Sequence, residues 1–524
     1  MMGRSKKSAT IASYDPATGE KLGEFSLNST EEVRIAIKRA KKIQPAWASL
    51  PIKERVRRVE KIREYLVDNI DEIALTISRD NGKTRVDALV TEVLHTILSI
   101  NYYCKKAPKF LKDKNLIPGS VLLANKVSKV RRVPYGVVGI ISPWNYPFCI
   151  PFSEVIMALL AGNAVILKIA SETQLVGHLL KEAIETAELP KGLFTHVNMP
   201  GKVAGDAFLE GGIGKLFFTG STIVGKELMK KASETLTPVC LELGGNDPMI
   251  VCEDANLGRA AAGAVWAGLQ NAGQSCGAVE RIYVHKSIYE EFLEILKEKV
   301  ENLRTGVGAD LNTDIGAMTN TRQVKIVREH IRDALEKGAR IFAQSQPPEH
   351  IEGNFLPALV LINVNNTMKI MKEETFGPVL PVMPFSSIDE AIYLANDSTM
   401  GLTASVWTRK KKLGREIAQK IEAGAVTIND HLVSHAMPET PWGGFKNSGI
   451  GRTHGQIGFD EMTQPQVIVD DLLYFTKRDI WWHPYSSELY NGIKGITSIL
   501  GGALWRAGLS GITEFIKILP RMFF

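Results

Sequence analysis

The run Gly136-Val-Val-Gly-Ile-Ile-Ser142, followed at once by Pro143-Trp144-Asn145-Tyr146-Pro147, decides the fold. Its apolar half is short and reads as a strand covered on both faces. The prolines stop it, and a helical pattern over 150–161 follows. Strand, turn and helix open a βαβ unit. The same alternation continues downstream. Asn163-Ala-Val-Ile-Leu-Lys168 is a second strand with a helix at 174–187, and 195–198 is a third leading to Pro200-Gly201. Leu216-Phe-Phe-Thr219 is a fourth, passing through Gly220-Ser221-Thr222-Ile223-Val224-Gly225 into a helix that ends near Glu234. Val239-Cys-Leu-Glu-Leu243 is a fifth. Alternation at these lengths predicts an α/β fold whose parallel sheet carries helices on both faces.

Outward from this centre, residues 10–30 alternate about the turn Asp15-Pro16-Ala17-Thr18-Gly19-Glu20 and predict a hairpin. Thr30, with Glu31 and Glu32 behind it, suits the N-cap of a helix through Lys41. Val56, Val59, Ile62, Leu66 and Ile70 put one apolar face on the stretch 53–69. A helical region at 83–112 reads as packing scaffold with no chemistry in it. Val121-Leu-Leu-Ala and Val127-Ser-Lys-Val-Arg-Arg-Val are short β-prone runs, predicting a projecting hairpin over 116–133. Strands and helices alternate again from 280 to 440, with helices at 287–302, 321–337, 388–395 and 411–422.

With 524 residues the chain exceeds one ordinary core, so two or three domains are expected. A formal charge of +6 is small for this length, and no basic stripe is interleaved with aromatics, which argues against nucleic acid as a partner. The cysteines, Cys104, Cys149, Cys240, Cys252 and Cys276, are odd in number and scattered, so they give no disulfide framework. The start, Met1-Met-Gly-Arg-Ser-Lys-Lys-Ser, is basic with no apolar segment behind it. A reducing, cytoplasmic compartment is expected. No apolar run is long enough for a spanning helix.

One stretch carries candidate chemistry: Leu269-Gln270-Asn271-Ala272-Gly273-Gln274-Ser275-Cys276, with Gly277 and Ala278 behind it. Small neighbours leave room for a substrate carbon to reach the sulfur, and a thiolate is a strong nucleophile. Taken alone, such a cysteine is more often structural. Glu242, at a strand end beside Gly244-Gly245, is either a base facing a cleft or a salt-bridged surface carboxylate. Asn145 either braces its turn or donates its amide to a ligand. The loop Gly220–Gly225 joins a strand to a helix N-terminus, a place suited to phosphate, although it lacks GxGxxG spacing and, on its own, a plain strand–helix turn is the more common explanation. His431 and His435 are four apart but lie in a loop without an acidic partner, so no metal is implied.

Together, Leu241-Glu242-Leu243-Gly244-Gly245-Asn246, the run ending in Cys276, Arg281, Glu373-Glu374-Thr375-Phe376-Gly377-Pro378 and Pro441-Trp442-Gly443-Gly444-Phe445-Lys446-Asn447-Ser448-Gly449 follow a known order. From about residue 10 to 475 the chain resembles the non-acylating, NAD(P)-dependent members of the aldehyde dehydrogenase superfamily. The resemblance implies a Rossmann-like NAD(P)-binding domain of residues 1–115 and 134–243 and an α/β catalytic domain of 244–445. It further implies an oligomerisation arm of 116–133 and 460–475, forming homodimers or homotetramers; residues 476–524 are an amphipathic extension beyond the family body. It casts Cys276 as the nucleophile, Asn145 and the Cys276 N–H as the oxyanion hole, and Glu242 as the base that activates water against the thioester. Ser142, Trp144, Lys168, Ser171, Gly201, Gly220, Ser221, Gly225, Leu243, Glu374 and Phe376 are the expected NAD or NADP contacts. Of these, Gly220 and Ser221 lie by the pyrophosphate, Glu374 on the nicotinamide ribose and Phe376 beside the ring. The late glycine-rich signature would close the substrate funnel. An intact Glu242 disfavours coenzyme-A-acylating relatives, and Cys276, Glu242 and Asn145 together disfavour a non-catalytic structural member.

Two positions set this chain apart. Many NAD-using relatives carry a Glu three residues after the strand-end Lys; here Ser171 stands there, with Glu172 one place later. A hydroxyl beside Lys168 accepts a 2′-phosphate, so NADP is expected at least to be tolerated. Semialdehyde-oxidising relatives carry an Arg eight residues after the Asn; here it is Ser153. With Phe148, Cys149, Ile150 and Phe152 nearby, an uncharged aliphatic or aromatic aldehyde is expected. The loop Asp430–Thr440 is longer than in common short-chain relatives. In the tail, Trp481-Trp482-His483-Pro484-Tyr485 precedes Leu489, Ile493, Ile496, Leu500 and Leu504 at helical spacing, then Leu509, Ile512, Phe515, Ile516 and Leu519, with Lys494, Arg506, Lys517 and Arg521 between. Such helices either bury their apolar faces on protein or lie on a membrane surface as a peripheral anchor. The second case makes long-chain fatty or isoprenoid aldehydes the expected substrates.

Overall fold

A computed structural model describes residues 9–346, 348, 352–502 and 504–524; the basic start Met1–Ser8 and the side chains of Leu504 and Arg506 lie outside the described residues. The chain forms two compact units, one of residues 1–112 and 132–464 and one of 113–131 and 465–524.

The larger unit is α/β and holds two large sheets, besides two small two-stranded ones. Val137–Ile141 is buried at every position, as a continuous apolar run between two helical layers must be. In the six-stranded sheet it lies between Ala164–Lys168 and Lys215–Thr219; Phe194–Val197 flanks the former, and Val239–Glu242 the latter. These pairings are parallel. The strand order reverses beside Val137–Ile141, so the carboxyl ends of the central strands border a crevice, the place where such sheets bind ligands. Gly449–Ile450 pairs antiparallel with the far edge, Gly449 opposite Glu242. The seven-stranded sheet runs Arg340–Gln344, Leu359–Ile362, Val379–Phe385, Val279–His285, Asp247–Val251, Thr403–Trp407 and Ala425–Ile428. Each large sheet has its own apolar core.

Several local readings change. Ser29, not Thr30, caps the first helix: its hydroxyl accepts the Glu32 N–H while the Glu32 carboxylate accepts the Ser29 N–H, and the helix runs on to Ser49. The helical region expected at 83–112 is broken into a turn Arg85–Asp87, a π-helix Ala88–Leu94 and a helix His95–Phe110. The helix Cys149–Ala161 is buried along its whole length. Phe148 and Phe152 therefore do not line a pocket; their rings pack 4.9 Å apart in the first core. Phe459 and Met462 also belong to that core, so the chain from 455 to 462 is body rather than arm.

The smaller unit contains a three-stranded sheet in which Lys126–Pro134 lies between Lys114–Leu116 and Thr463–Asp471. Val121–Leu123 is a 3₁₀ turn instead of a strand, because the Ser120 hydroxyl accepts the Leu122 N–H and closes it locally. Lys126 Nζ bridges Asp471 and Asp479 at 2.5 Å each. That pairing joins arm and extension within one unit, where the sequence suggested separate pieces. Helices Ser487–Leu500 and Leu504–Ile518 pack antiparallel. A Cβ at Gly495 would sit 2.5 Å from the Gly511 carbonyl, so the backbones touch where only glycine fits. Ile480, Leu489 and Ile518 form its small core. Among the described residues no helix is long and apolar enough to cross a membrane.

Candidate active site

Cys276 follows a strained turn. Asn271 and Ala272 both have φ of 53°, a conformation that non-glycine residues adopt only under constraint. The constraint is visible. Asp87 Oδ2 accepts the Asn271 N–H at 3.1 Å, Asn271 Nδ2 donates to the Asn145 carbonyl at 2.9 Å, and the Thr319 N–H donates to Gln274 Oε1 at 3.0 Å. Asn145 Nδ2 returns a bond to the Gln274 carbonyl at 3.1 Å. The Asn145 turn is pinned from behind by a fully buried ion pair. Lys83 Nζ lies 2.6 Å from Glu92 Oε1 and donates to the Asn145 carbonyl at 2.8 Å, while Glu92 Oε2 accepts the N–H groups of Phe148 and Cys149. Residues 83–92, which looked like inert scaffold, therefore fix the two loops of the site.

Three cavities meet at Cys276. The first, about 230 Å³, opens over the strand ends and is lined by Trp144, Asn145, Thr219, Gly220, Ser221, Glu242, Leu243, Gly244, Glu374 and Phe376 among others. Gly245 N–H donates to Glu374 Oε1 at 3.1 Å, and a Cβ on Gly244 would lie 2.4 Å from Glu374 Oε2. A Cβ on Gly225 would collide with Leu243 Cδ2 at 2.6 Å. Ser221 caps the helix Thr222–Thr235, accepting the Val224 N–H. Phe376, held at φ 52°, meets Trp144 edge to face at 5.4 Å. Lys168 ends its strand with its ammonium buried and no acid within ion-pair distance among the described residues; burial lowers its pKa. Gly201 opens a helix beside it, a Cβ there falling 3.7 Å from Lys168 Nζ, and Ser171 begins the short turn just beyond the strand. The Ser142 and Thr219 hydroxyls are buried without a protein partner. Orphaned hydroxyls, an unpaired buried cation and glycines where side chains would intrude are what a bound dinucleotide satisfies.

The second cavity, about 80 Å³, is lined by Val90, Thr91, His95, Tyr146, Ile150, Trp266, Gln270, Ser275, Cys276, Gly277, Leu432, His435, Ala436 and Trp442. Of the residues expected around the substrate only Ile150 lines it; Cys149 is buried beneath Tyr146 and Ile150. Tyr146 OH donates to Gln270 Oε1 at 2.8 Å. His435 stacks on His95 at 5.0 Å and meets Trp442 edge-on at 4.7 Å. Burial pushes the His435 pKa down to about 4, so it is a neutral ring here. His431 is separate, its Nε2 on the Gly277 carbonyl at 3.0 Å.

The third is a small chamber of about 20 Å³ lined by Ile150, Ser153, Glu154, Thr219, Glu242, Cys276, His435, Trp442, Thr453 and His454. Glu242 Oε1 accepts the Thr453 hydroxyl at 3.4 Å and Oε2 has no partner. Burial, then the nearby Glu154 charge, raises the Glu242 pKa well above the usual carboxylate range. Burial raises the Cys276 thiol too, with Glu374, Glu242 and Asp247 adding to it.

The glycine-rich signature at 441–449 serves the site differently from a lid. Trp442 lines the second cavity, but Ser448 Oγ ties Gly244 O to Gly401 N–H and Gly449 pairs with Glu242, so the signature also braces the edge of the six-stranded sheet. Arg281 is likewise a brace: its guanidinium donates to the carbonyls of Asn246, Leu394 and Ala395. Of the residues that line the second cavity, His95, Tyr146, Trp266 and Leu432 escaped sequence reasoning. Glu154 had one signal, a lone acid in an otherwise apolar helix.

A family model described as "Aldehyde dehydrogenase family" matches residues 4–468. The chain is 38% identical over 493 residues to the 4,4'-diapolycopene aldehyde oxidase of Methylomonas sp, covering 94% of this chain and 92% of that one. It is 37% identical over 507 residues to a Mycolicibacterium smegmatis protein provisionally named an NADP(+) succinate-semialdehyde dehydrogenase, covering 96% and 93%. Among solved structures, an NAD+ complex of aldehyde dehydrogenase from Bacillus cereus superposes with a TM-score of 0.84 at 33% identity, covering 88% of this chain and 94% of that one. Fold, motif order and these likenesses agree: the chain belongs to the aldehyde dehydrogenase family, oxidoreductases that act on aldehydes with NAD or NADP.

Proposed function

We propose that this enzyme oxidises an uncharged, elongated aldehyde to the carboxylic acid. The observation that carries this reading is the wall of the substrate-side cavity. It is built from Val90, Tyr146, Ile150, Trp266, Leu432 and Trp442, and among the described residues no Lys or Arg lines it. A substrate carboxylate would be left without a cation. Val90, Leu94 and Leu98 are exposed along one helical region beside Trp266, extending an apolar surface outward from the cavity. The relative named for diapolycopene aldehyde supports an extended apolar substrate; the semialdehyde relative is the alternative.

In this reading the Cys276 sulfur adds to the aldehyde carbon as a thiolate, giving a thiohemiacetal. One Asn145 amide N–H is committed to Gln274; the other, with the Cys276 N–H, meets the developing oxyanion, an effect worth about 10²–10³ in rate. Ser142, Lys168, Ser171, Gly201, Gly220, Ser221, Gly225, Leu243, Glu374 and Phe376 would hold the dinucleotide, with Trp144 bracing Phe376. Bound nicotinamide supplies the hydride acceptor and a positive charge that favours the thiolate. Glu242 then takes a proton from the water that attacks the thioester. Because its pKa is raised, Glu242 works as a base only after it has lost its own proton. For a linear alkanal series, kcat/KM should climb roughly threefold to fourfold per added methylene while the chain still finds apolar wall, from about 0.8 kcal/mol each. A KM for succinic semialdehyde below that for hexanal overturns the reading.

The smaller unit supports two attachments. Thr463–Asp471 is an edge strand whose Val467, Ile468 and Val469 are exposed, suited to pairing with a second copy in a homodimer or homotetramer. Trp482, Leu509, Ile516 and Phe524 are exposed beside Lys494 and Lys517, the mixture that lies on an anionic lipid surface. Unpaired cysteines fit a reducing, cytoplasmic setting. Full-length protein should float with anionic liposomes, and the double variant Leu509→Glu/Ile516→Glu should not. Full-length protein that stays at the bottom of the gradient removes the membrane from the proposal.

A further inference from the structure

Glu154 is a buried acid to which the reaction as described gives no work. It is 2% exposed, sits on the otherwise apolar helix Cys149–Ala161, and its Oε2 has no hydrogen-bond partner. No hydrogen bond or ion pair reaches its carboxyl from any described side chain. Burying such a group without a partner is costly, and a native fold keeps one only where something satisfies it. It faces the 20 Å³ chamber together with Glu242 and Cys276. That volume is about the size of one water molecule. The chamber's other polar walls are Ser153, Thr219, Thr453, His435 and His454, and His454 Nδ1 and Thr219 Oγ1 are also unpartnered. Glu242 leaves one carboxyl oxygen free on the same space. Two buried carboxyls that face one small space cannot both ionise cheaply.

We propose that Glu154 is a positioning residue that shares a proton with Glu242 across this chamber, keeping Glu242 ionised while the thioester is hydrolysed. The proposal rests on the reaction assigned above and deepens it. When Glu242 removes a proton from the attacking water, the hydroxide adds to the acyl carbon, the carbon–sulfur bond breaks and sulfur leaves as thiolate. The proton on Glu242 passes through the chamber to the Glu154 carboxylate, and from there it leaves as the proton that aldehyde oxidation releases. No electron moves in this step. Glu154 is held partly neutral by its surroundings: burial lifts its pKa to about 8. The titratable groups around it are Glu242 and Cys240 on one strand, Tyr103 on the helix His95–Phe110, and Cys276, His435 and His454 on the loops. Burial keeps both histidines neutral at working pH, so the exchangeable proton belongs to the carboxyls.

The test is Glu154→Gln, which keeps the shape and cannot accept a proton, beside Glu154→Asp. With an aldehyde and the full-length enzyme, the first-turnover burst of reduced cofactor should persist in Glu154→Gln. Steady-state kcat should fall about tenfold to a hundredfold, KM should change less than about threefold, and Glu154→Asp should recover part of kcat. Removing the neighbouring negative charge should also lower the pKa of Glu242, moving the acid limb of kcat to lower pH. A merely structural acid would leave the ratio of burst to steady-state rate and the limb where they are, and that result overturns the proposal. An independent readout needs no aldehyde. The infrared band of protonated buried carboxyls, followed against pH, should show two coupled titrations in the wild type, with Glu242→Gln and Glu154→Gln each shifting the midpoint of the other. Uncoupled titrations overturn the shared proton even if the enzyme is active. Coupled titrations in a protein that oxidises no aldehyde would preserve the pair and overturn the reaction.

Discussion

The two larger cavities that meet at Cys276 are built in opposite ways. The one over the strand ends is made of backbone, glycine and short polar side chains from consecutive βα turns, with Glu374 and Phe376 added from a loop. The one on the other side is made of large apolar and aromatic side chains drawn from the π-helix, the Tyr146–Ile150 turn, the helix Leu257–Leu269 and the loop from Leu432 to Trp442. The first geometry follows from parallel sheet topology and serves any dinucleotide. The second depends on which side chains four unrelated segments happen to bring together. Chemistry common to a family can sit on the first; substrate choice is free to vary on the second.

The comparison predicts which changes should cross from one side to the other. Cys276→Ala removes the atom shared by all the cavities and should cut aldehyde oxidation by at least about 10⁴-fold. Because every residue expected to hold the dinucleotide is kept, NAD(P) affinity by fluorescence quenching should stay within about threefold; a large loss of cofactor binding would mean that the two sides are not separable. Ile150→Arg places a cation on the wall that the second cavity shares with the small chamber, and none on the cofactor side. It should raise the preference for succinic semialdehyde over hexanal by about 10²-fold, within the range of a charge-assisted contact in an apolar site; an unchanged ratio would put the substrate tail elsewhere. Ser171→Glu acts on the cofactor side only. A carboxylate there should repel the 2′-phosphate and lower kcat/KM for NADP about tenfold, with NAD nearly unaffected. Equal losses for both cofactors would show that Ser171 does not face the adenosine ribose.

The same contrast explains how much the sequence disclosed. The strands flanking the crevice were legible because a buried parallel strand is a short unbroken apolar run, and Val137–Ile141 and Ala164–Lys168 are buried at every position. The candidate nucleophile, base and amide were legible as residue types in a known order, and the structure brings Cys276, Glu242 and Asn145 around one cavity. Phe148 and Phe152 were misread because helical neighbours in sequence face different ways: Ile150 points to the cavity and they point to the core. His95, Trp266 and Leu432 carry no local signal at all, since their meeting at Cys276 is purely tertiary. The Val121–Leu123 turn shows the reverse, a β-prone run overruled by one serine hydroxyl that accepts the Leu122 N–H.

The π-helix at Ala88–Leu94 carries one residue more than α-helical spacing would need, and it places Val90 and Thr91 on the wall of the second cavity while His95 opens the next regular helix. Deleting a single residue there would let the segment close into an ordinary α-helix. Each position before the deletion would turn by about 100° relative to those after it, with the backbone still fully hydrogen-bonded. One lost codon would thus turn Val90 and Thr91 out of the cavity wall and at the same time turn Asp87 and Lys83 relative to Glu92, whose bonds brace the Asn145 and Asn271 loops. The bulge is therefore a joint: the wall of the second cavity and the braces of the loops around Cys276 are cut from the same seven residues, so neither can be remodelled without the other.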